Sequence, residues 1–327
     1  MDRNQVVEIV ERQMPPVRLQ RVGDPSRTRV LVAEDGFAIR QGAGRAQPLT
    51  AEAVPRLLNF VGLPKGVAER LQARTLERTA TELIASMPSF SVATLEGQVT
   101  DLVKADHPAL PAERVVREAE KAVKGMEFHR VHVLEPHQVR IECVGVQERP
   151  VHKGDLIRAG ALLHFSPLGT IEPVVQSYGL RLVCTNGQMA EEIIQNYRRQ
   201  RGGGGGEGDE IWQWFRESVR EAYGSLGQVV DRYRALERTS IPARDRAASL
   251  SGLLQQAGIR GAMAEAVRAY ALEHPPRNEY ELYNILTYAS SHILDDPREI
   301  ARAQRAGAQY TTESAHRLRC PTCRRSR

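Results

Sequence analysis

Cys184, Asn186 and Gly187 lie where the apolar run "LRLVC" ends, and this corner has the clearest chemical potential in the sequence. A cysteine at a strand-to-helix corner could act as a nucleophile, with the free amides of the helix start stabilising an oxyanion or a phosphate. The same residues suit an ordinary turn, because Asn and Gly tolerate left-handed backbone and cysteine is usually buried. No Gly-x-Ser-x-Gly pattern or triad spacing accompanies the thiol. We therefore expect Cys184 to be a packing residue and "QMAEEIIQNYRRQR" to be a helix.

Two polar turns offer further candidates. "HKGDLIRAG" carries Lys153 and Asp155, but a covalent nucleotidyl-transfer lysine would require the order Lys-x-Asp-Gly, so we expect a surface turn rather than a ligand contact. "HFSPLGTIEP" carries Ser166 and Thr170 in a Gly/Pro loop between strands, a kind of loop too common to be specific. An enzyme built on these residues would need Asp155, Ser166 and Asn186 to converge in one pocket.

The C-terminal tail "HRLRCPTCRRSR" offers His316, Cys320 and Cys323 as metal ligands. Two thiolates two residues apart can share one tetrahedral zinc ion, but a fourth ligand would have to come from elsewhere. The alternative is a disordered basic tail that adds affinity for nucleic acid. The sequence lacks a P-loop, a dinucleotide fingerprint and a His-Glu-x-x-His motif. We therefore expect no cofactor other than a structural zinc ion that the tail could hold.

The charge balance indicates nucleic acid as a partner only if basic residues cluster. The net charge is +5 and the pI is near 9.1. The last twelve residues hold five of the 45 basic residues and no acid, which leaves 40 basic against 40 acidic residues in the rest of the chain. The clearest cluster is "YRRQR" at 197–201, which could equally satisfy the end of a helix. The candidate phosphate contacts are Arg140, Arg149, Lys153, Arg158, Arg181, Arg198, Arg199 and Arg201.

The composition predicts a cytoplasmic protein that is not attached to a membrane. Of the 327 residues, 41% are hydrophobic and 26% are charged. We find no apolar run near the ~20 residues that a membrane span needs, and the N-terminus carries charges throughout. Four cysteines in a chain of this length do not form a disulfide framework.

Residue patterns predict an α+β fold, with an antiparallel sheet core, flanking N-terminal helices and a C-terminal helical region. Asp35-Gly36 predicts a hairpin in an otherwise irregular segment. Aromatic stripes in the C-terminal region, at Trp212 and Phe215 and at Tyr280, Tyr283 and Tyr288, are typical of a bundle core. The predicted segments are irregular 1–48, helical 49–126, a four-stranded sheet with a closing helix at 127–201, a Gly-rich linker or loop at 202–210, helical 211–315, and the tail 316–327.

The stretch "VHKGDLIRAGALLHFSPLGTIEPVVQSYGLRLVCTNGQMAEE" resembles a phage/plasmid-like family built on a domain of unknown function, which mobile elements encode. "LLNFVGLPKGVAERL" and "YELYNILTYASSHI" extend the resemblance over roughly 50–315. Phe165-Ser166 departs from the usual Asn-Ser, and the resemblance implies no activity. The family-core positions are Lys153, Gly154, Asp155, Ser166, Gly169, Arg181, Cys184, Thr185, Asn186 and Gly187.

These observations lead to a ranked set of functional hypotheses. The order of strands followed by a helix at 127–201 is similar to that of single-strand annealing proteins of the RecT and Rad type, an analogy at the level of fold. We therefore expect a non-catalytic nucleic-acid-binding protein of DNA metabolism, with single-stranded DNA as the favoured partner and homo-oligomers as a further expectation. The alternatives are an enzyme with a site around Cys184, Asn186 and Asp155, and a structural or regulatory protein that assembles through its C-terminal helices.

Overall fold

The computed structural model describes residues 1–14, 16–33, 36–105, 107–134, 137–181, 186–196 and 209–319, with backbone alone at 186–196, 297–298, 301 and 312–319. These ranges contain eleven α-helices and eleven strands. Helices lie at both ends of the chain and every sheet is antiparallel, so the predicted α+β class is confirmed.

The chain begins with a helix, α1 (Arg3–Gln13), where the sequence analysis predicted irregular structure with short strands. That prediction was wrong at this point. Asp2 and Gln5 form a reciprocal capping box that satisfies free amides at the helix start. Val6 and Val10 are buried and join the core of the large sheet described below. Capping and burial of one apolar stripe together stabilise this helix.

The N-terminal unit has two small sheets and its own core. One sheet has the strand order β1-β5-β6 and the other has the order β2-β3-β4. Its elements are β1 (Arg18–Val22), β2 (Thr28–Ala33), β3 (Gly36–Gln41), β4 (Gln47–Pro48), α2 (Ala53–Phe60), α3 (Lys65–Ala68), α4 (Ala73–Ala85), β5 (Phe90–Leu95) and β6 (Gln98–Lys104). Val30, Leu57, Ile84 and Val92 are fully buried in its core.

Two hairpins of this unit test the sequence patterns. The hairpin predicted at Asp35-Gly36 is confirmed, because Ala33 pairs with Gly36 where β2 meets β3. The β5–β6 hairpin lies inside the segment 49–126 that was predicted to be helical, so that prediction was wrong for 90–104. Glu96 and Gly97 both have positive φ, +50° and +80°, as the two central residues of a type I′ hairpin turn require.

A five-stranded meander forms the centre of the molecule, with the strand order β11-β10-β9-β8-β7. Its strands are β7 (Glu127–Leu134), β8 (Gln138–His152), β9 (Asp155–Phe165), β10 (Val174–Arg181) and β11 (Asn186–Asn196). Alternate residues such as Ile141 and Leu163 pack against α1, α5 (Ala112–Ala122) and α6 (Asp209–Gly224). The opposite face meets the last helix, where Leu162 and Tyr178 contact Ala308.

The fifth strand replaces the helix that was predicted to close the sheet. Residues 186–196 pair with β10, with Arg181 opposite Asn186 and a bulge between Gln176 and Ser177. The helical prediction was wrong because the free edge of β10 presents a row of backbone donors and acceptors. Pairing with this edge outweighs the local helix propensity of "AEEII". Residues 182–185 and 197–208, which include the glycine run, lie outside the described residues.

The C-terminal region is helical, as predicted, and it covers the large sheet. Its remaining helices are α7 (Leu226–Glu237), α8 (Arg246–Ala257), α9 (Gly261–Glu273), α10 (Glu279–His292) and α11 (Pro297–Arg319). Trp212 and Phe215 pack on the sheet, whereas Tyr280 and Tyr283 pack with Tyr233 in a separate core. Among the described residues, no helix has an apolar stretch long enough to cross a bilayer.

Candidate functional site

Asp155, the first residue of β9, is the centre of a buried charged cluster. Its side chain is 2% exposed and accepts two hydrogen bonds from Arg181, at 2.6 Å from Nε and 2.9 Å from Nη2. The Tyr280 hydroxyl donates a third, at 3.0 Å. Asp155 and Arg181 meet because Ile157 is the register partner of Arg181, and side chains two residues apart on a strand share a face. The expected surface turn is therefore wrong for Asp155, although Lys153 is exposed.

Arg181 also borders a cleft of about 490 Å³ between the end of β10 and helices α8 to α10. This volume lies within the ~300–1,000 Å³ typical of ligand sites. Besides Arg181, the cleft is lined by Arg246 at the start of α8, and by His274 and Arg277 between α9 and α10. We call this site the Arg246 cleft. Three arginines and a histidine from three separate segments line it together with one acidic residue, Glu281, so its lining is predominantly cationic.

The three arginines of the Arg246 cleft differ in how their charge is balanced. Arg181 is paired with Asp155, and Arg277 is paired with Glu281, which accepts hydrogen bonds from the Arg277 amide at 2.6 Å and from Nη2 at 3.2 Å. Arg246 forms no ion pair with any described residue, and its Nε is buried without an acceptor there. A buried donor without an acceptor costs ~1–3 kcal/mol. Because Arg246 also lines the cleft, an oxyanion bound there would balance the charge of its guanidinium group.

An aromatic stack extends from one wall of this cleft. The rings of His274 and Tyr270 lie 4.3 Å apart, those of Tyr270 and Tyr288 3.9 Å, and those of Tyr288 and His292 4.6 Å. The stack forms because α9 and α10 each carry a Tyr-x-x-x-His sequence, and residues at i and i+4 share a helix face. His274 is the exposed end ring that lines the cleft, so a planar base could extend the stack there.

The basic residues predicted from sequence to contact phosphate do not form one surface. Arg140 is 4% exposed and donates to Gln304 in the interior, so its assignment as a phosphate contact was wrong. Arg158 donates to Glu148 at 3.0 Å and lies 3.4 Å from Glu127, which balances its charge. Arg149 and Lys153 are exposed. Of the predicted phosphate contacts that the structure describes, Arg181 is the one that lines the Arg246 cleft. Arg198, Arg199 and Arg201 lie outside the described residues.

Arg140 belongs instead to a buried polar network between β8 and α11. Glu142 is fully buried and accepts hydrogen bonds from the Tyr178 hydroxyl at 2.8 Å and from Gln304 Nε2 at 3.0 Å. Burial acts to raise the pKa of Glu142, but Arg140, Gln304 and Tyr178 hold it below the ordinary value of a glutamate. Because these groups are buried and hydrogen-bonded to one another across β8, β10 and α11, the network fixes α11 on the sheet.

The other residues on which the resemblance rests do not converge on the Asp155 cluster. Ser166 is buried at the opposite end of β9, roughly 35 Å along the strand from Asp155. Its hydroxyl accepts from the Leu168 amide at 3.1 Å and from the Thr170 hydroxyl at 3.0 Å. Gly169 has φ +75°, and an added Cβ would lie 2.7 Å from the His107 carbonyl oxygen. These residues shape a turn, and the three-residue pocket that the enzyme hypothesis required does not form.

For several predicted site residues the structure does not describe the side chain, so these assignments stay predictions. Cys184 and Thr185 lie outside the described residues, and Asn186 and Gly187 are described by their backbone alone. The same holds for Cys320, Cys323 and the side chain of His316, so the zinc site is untested. In the described ranges, no group of three or more His, Cys, Asp or Glu side chains could hold a metal ion.

Comparison with known proteins finds no matching family model, no matching curated protein and no matching solved structure. Sequence analysis missed Arg246, His274, Arg277 and Tyr270. The repeated Tyr-x-x-x-His spacing in "YALEH" and "YASSH" was the one local signal that could have indicated the stack.

Proposed function

We propose that the protein binds single-stranded nucleic acid without catalysis, and that the Arg246 cleft is its principal contact. The observation that carries the proposal is the position of Arg246, whose buried Nε lacks an acceptor among the described residues, beside the open end of a four-ring stack. Proteins that bind single strands combine a cationic groove for phosphates with aromatic rings for bases. Both elements line this one cleft.

The chemistry of the stack favours single strands over duplexes. A base can continue the stack at His274 only if it has left its own helical stack, which costs least in a single strand. Stacking tolerates every base, so we expect little sequence preference. Asp155 and Tyr280 hold the Arg181 guanidinium in one orientation, so this cation is already fixed when a phosphate arrives.

The wider biological setting rests on the resemblance to the phage/plasmid-like family. It supports a role in the DNA metabolism of a mobile element, with DNA as the strand that is bound. Assembly into homo-oligomers through the C-terminal helices is a further proposal, which sedimentation of the full chain tests directly. Neither is needed for the Arg246 cleft to bind a strand.

A salt-titrated anisotropy assay with a labelled oligothymidylate, a duplex of equal length and a single-stranded RNA tests the proposal. We expect the single strands to bind more tightly than the duplex at every salt concentration. Arg246→Gln should lower affinity and reduce the log–log salt slope by about 0.7, the contribution of one phosphate contact. Arg244→Gln is a matched control, because this neighbouring side chain is 87% exposed and does not line the cleft. Flat anisotropy for all three ligands at low salt contradicts the proposal.

A further inference from the structure

A second cationic cleft lies in the N-terminal unit. It encloses about 620 Å³ and is lined by four arginines, Arg29 of β2, Arg40 of β3, and Arg74 and Arg78 of α4. We call it the four-arginine cleft. It shares no lining residue with the Arg246 cleft, and it belongs to the unit that has its own core.

The four arginines occupy positions that are unfavourable for like charges. Arg29 and Arg40 are direct partners in the β2–β3 register, and like charges facing each other across strands destabilise a sheet. Arg74 and Arg78 are four residues apart on α4, where like charges also repel. Arg74 further lies in the first turn of α4, which contains no acidic residue, and a cation there opposes the helix dipole. Folding therefore gathers these charges at a cost in stability.

The protein offers little to offset this concentration of charge. None of the four side chains forms an ion pair or a hydrogen bond with any other residue that the structure describes, and all four are exposed. Glu77 and Glu82 also line the cleft, so four positive charges face two negative ones. Glu77 is already engaged, since its Oε2 accepts from the Val32 amide at 3.0 Å. An anion from solution would relieve the Arg29–Arg40 repulsion, the Arg74–Arg78 repulsion and the unfavourable interaction of Arg74 with the helix dipole.

We propose that the four-arginine cleft binds a phosphate-bearing anion with at least two phosphate groups. Guanidinium groups match phosphate oxygens in a bidentate geometry, and four of them around one cleft exceed what a single phosphate needs. A free polyphosphate group and two successive phosphates of a nucleic-acid strand share this chemistry. The proposal does not rest on the Arg246 cleft, and either site can bind without the other.

Thermal unfolding of the full chain at constant ionic strength tests the proposal, with sodium tripolyphosphate and a twelve-residue oligothymidylate as separate probes. We expect tripolyphosphate to raise Tm by at least ~2 °C at saturation. In the Arg40→Gln/Arg74→Gln variant this shift should fall by at least half, while Tm without ligand stays equal or rises because repulsion is relieved. A matched control is Arg18→Gln/Arg21→Gln on β1, which removes the same charge outside the cleft and should retain the shift.

The outcomes separate this site from the Arg246 cleft and identify the source of the phosphate. In an Arg246→Gln background, the Arg40→Gln/Arg74→Gln substitutions should still remove a tripolyphosphate shift of the same size, because the two clefts share no lining residue. If the oligothymidylate shift also falls in Arg40→Gln/Arg74→Gln, the anion is a nucleic-acid backbone; if it does not, the anion is a free polyphosphate. Absence of a tripolyphosphate shift in the wild-type protein, or an equal shift in Arg40→Gln/Arg74→Gln, overturns the proposal.

Discussion

The Arg181 guanidinium binds the Asp155 carboxylate with two hydrogen bonds, of 2.6 and 2.9 Å, at the edge of the Arg246 cleft. One residue ends β10 and the other begins β9, so the pair ties two neighbouring strands together. Tyr280 donates to the same carboxylate from α10, and thereby links the sheet to the helix that carries half of the aromatic stack. The geometry of the cleft therefore depends on a buried charge that does not itself line it.

Asp155→Asn should destabilise the protein strongly. The substitution keeps the shape of the side chain but leaves the Arg181 charge, with only 16% of its side chain exposed, without its carboxylate. Removing one partner of a buried pair costs ~3–5 kcal/mol. Urea unfolding measures the loss, with Arg158→Gln as a control that breaks a more exposed pair and should cost less than ~1 kcal/mol. Equal costs for the two variants would show that the buried pair contributes no more than a surface pair.

Tyr178→Phe should weaken the buried network around Glu142. The substitution removes the hydroxyl that donates to Glu142 at 2.8 Å and leaves that lone pair unsatisfied, at a cost of ~1–3 kcal/mol. Tyr288→Phe is a suitable control, because its ring stacks in the described part of the chain and its hydroxyl has no hydrogen-bond partner there. Chemical denaturation of both variants checks the difference, and a Tyr178→Phe protein as stable as the control contradicts it.

Acid should destabilise the protein in part through His164, which lies beside Arg140 in the β8–β9 register. Burial, with Arg140 and Arg305 nearby, lowers the pKa of His164 from 6.5 to about 4. Between pH 6.5 and 4 the imidazole is therefore protonated in the unfolded chain but stays neutral in the folded protein. The free energy of unfolding consequently falls as pH drops from about 6.5 towards 4. Above pH 6.5 the imidazole is neutral in both states and contributes nothing to this dependence. The full effect is on the order of 3 kcal/mol.

The test of this pH dependence compares wild-type protein with His164→Gln at each pH. Asp101 contributes in the opposite direction, because burial raises its pKa to about 6 and its carboxylate is less favourable in the folded state as pH rises from about 4 to 6. That contribution is common to both proteins and cancels in their difference. We expect the difference in unfolding free energy between the two proteins to shrink as pH falls from 6.5 to 4.

The parts of the fold that sequence could predict are those specified by neighbouring residues. The β2–β3 hairpin follows from alternation around Asp35-Gly36, and the capping box of α1 and the Glu96-Gly97 turn carried signals of the same kind that were overlooked. Strand β11 was beyond such reasoning, because its conformation depends on the edge of β10. Local patterns cannot weigh a helix propensity against a ladder of hydrogen bonds formed elsewhere.

The candidate site was less predictable than the fold. Arg181 was identified as a cation, but its partner Asp155 was expected at the tip of a surface turn. Arg246, His274 and Arg277 belong to segments that only the packing of α8 to α10 brings to the end of β10. Arg140 shows the opposite error, since a strand-borne arginine expected on the surface is buried against α11. Residue type indicates charge, whereas burial and partners decide whether that charge is available.

The exposed end of the stack gives a prediction that separates stacking from charge. His274→Ala should lower affinity for a single strand about fivefold, equivalent to ~1 kcal/mol of lost base stacking. Because Arg181, Arg246 and Arg277 remain, the salt slope should stay near the wild-type value, unlike that of Arg246→Gln. His292→Ala removes the ring at the other end of the stack, outside the cleft, and is the matched control with unchanged affinity. Anisotropy titrations over a range of salt measure both quantities. If His292→Ala lowers affinity as much as His274→Ala, the stack acts by stabilising the helices and not by receiving a base.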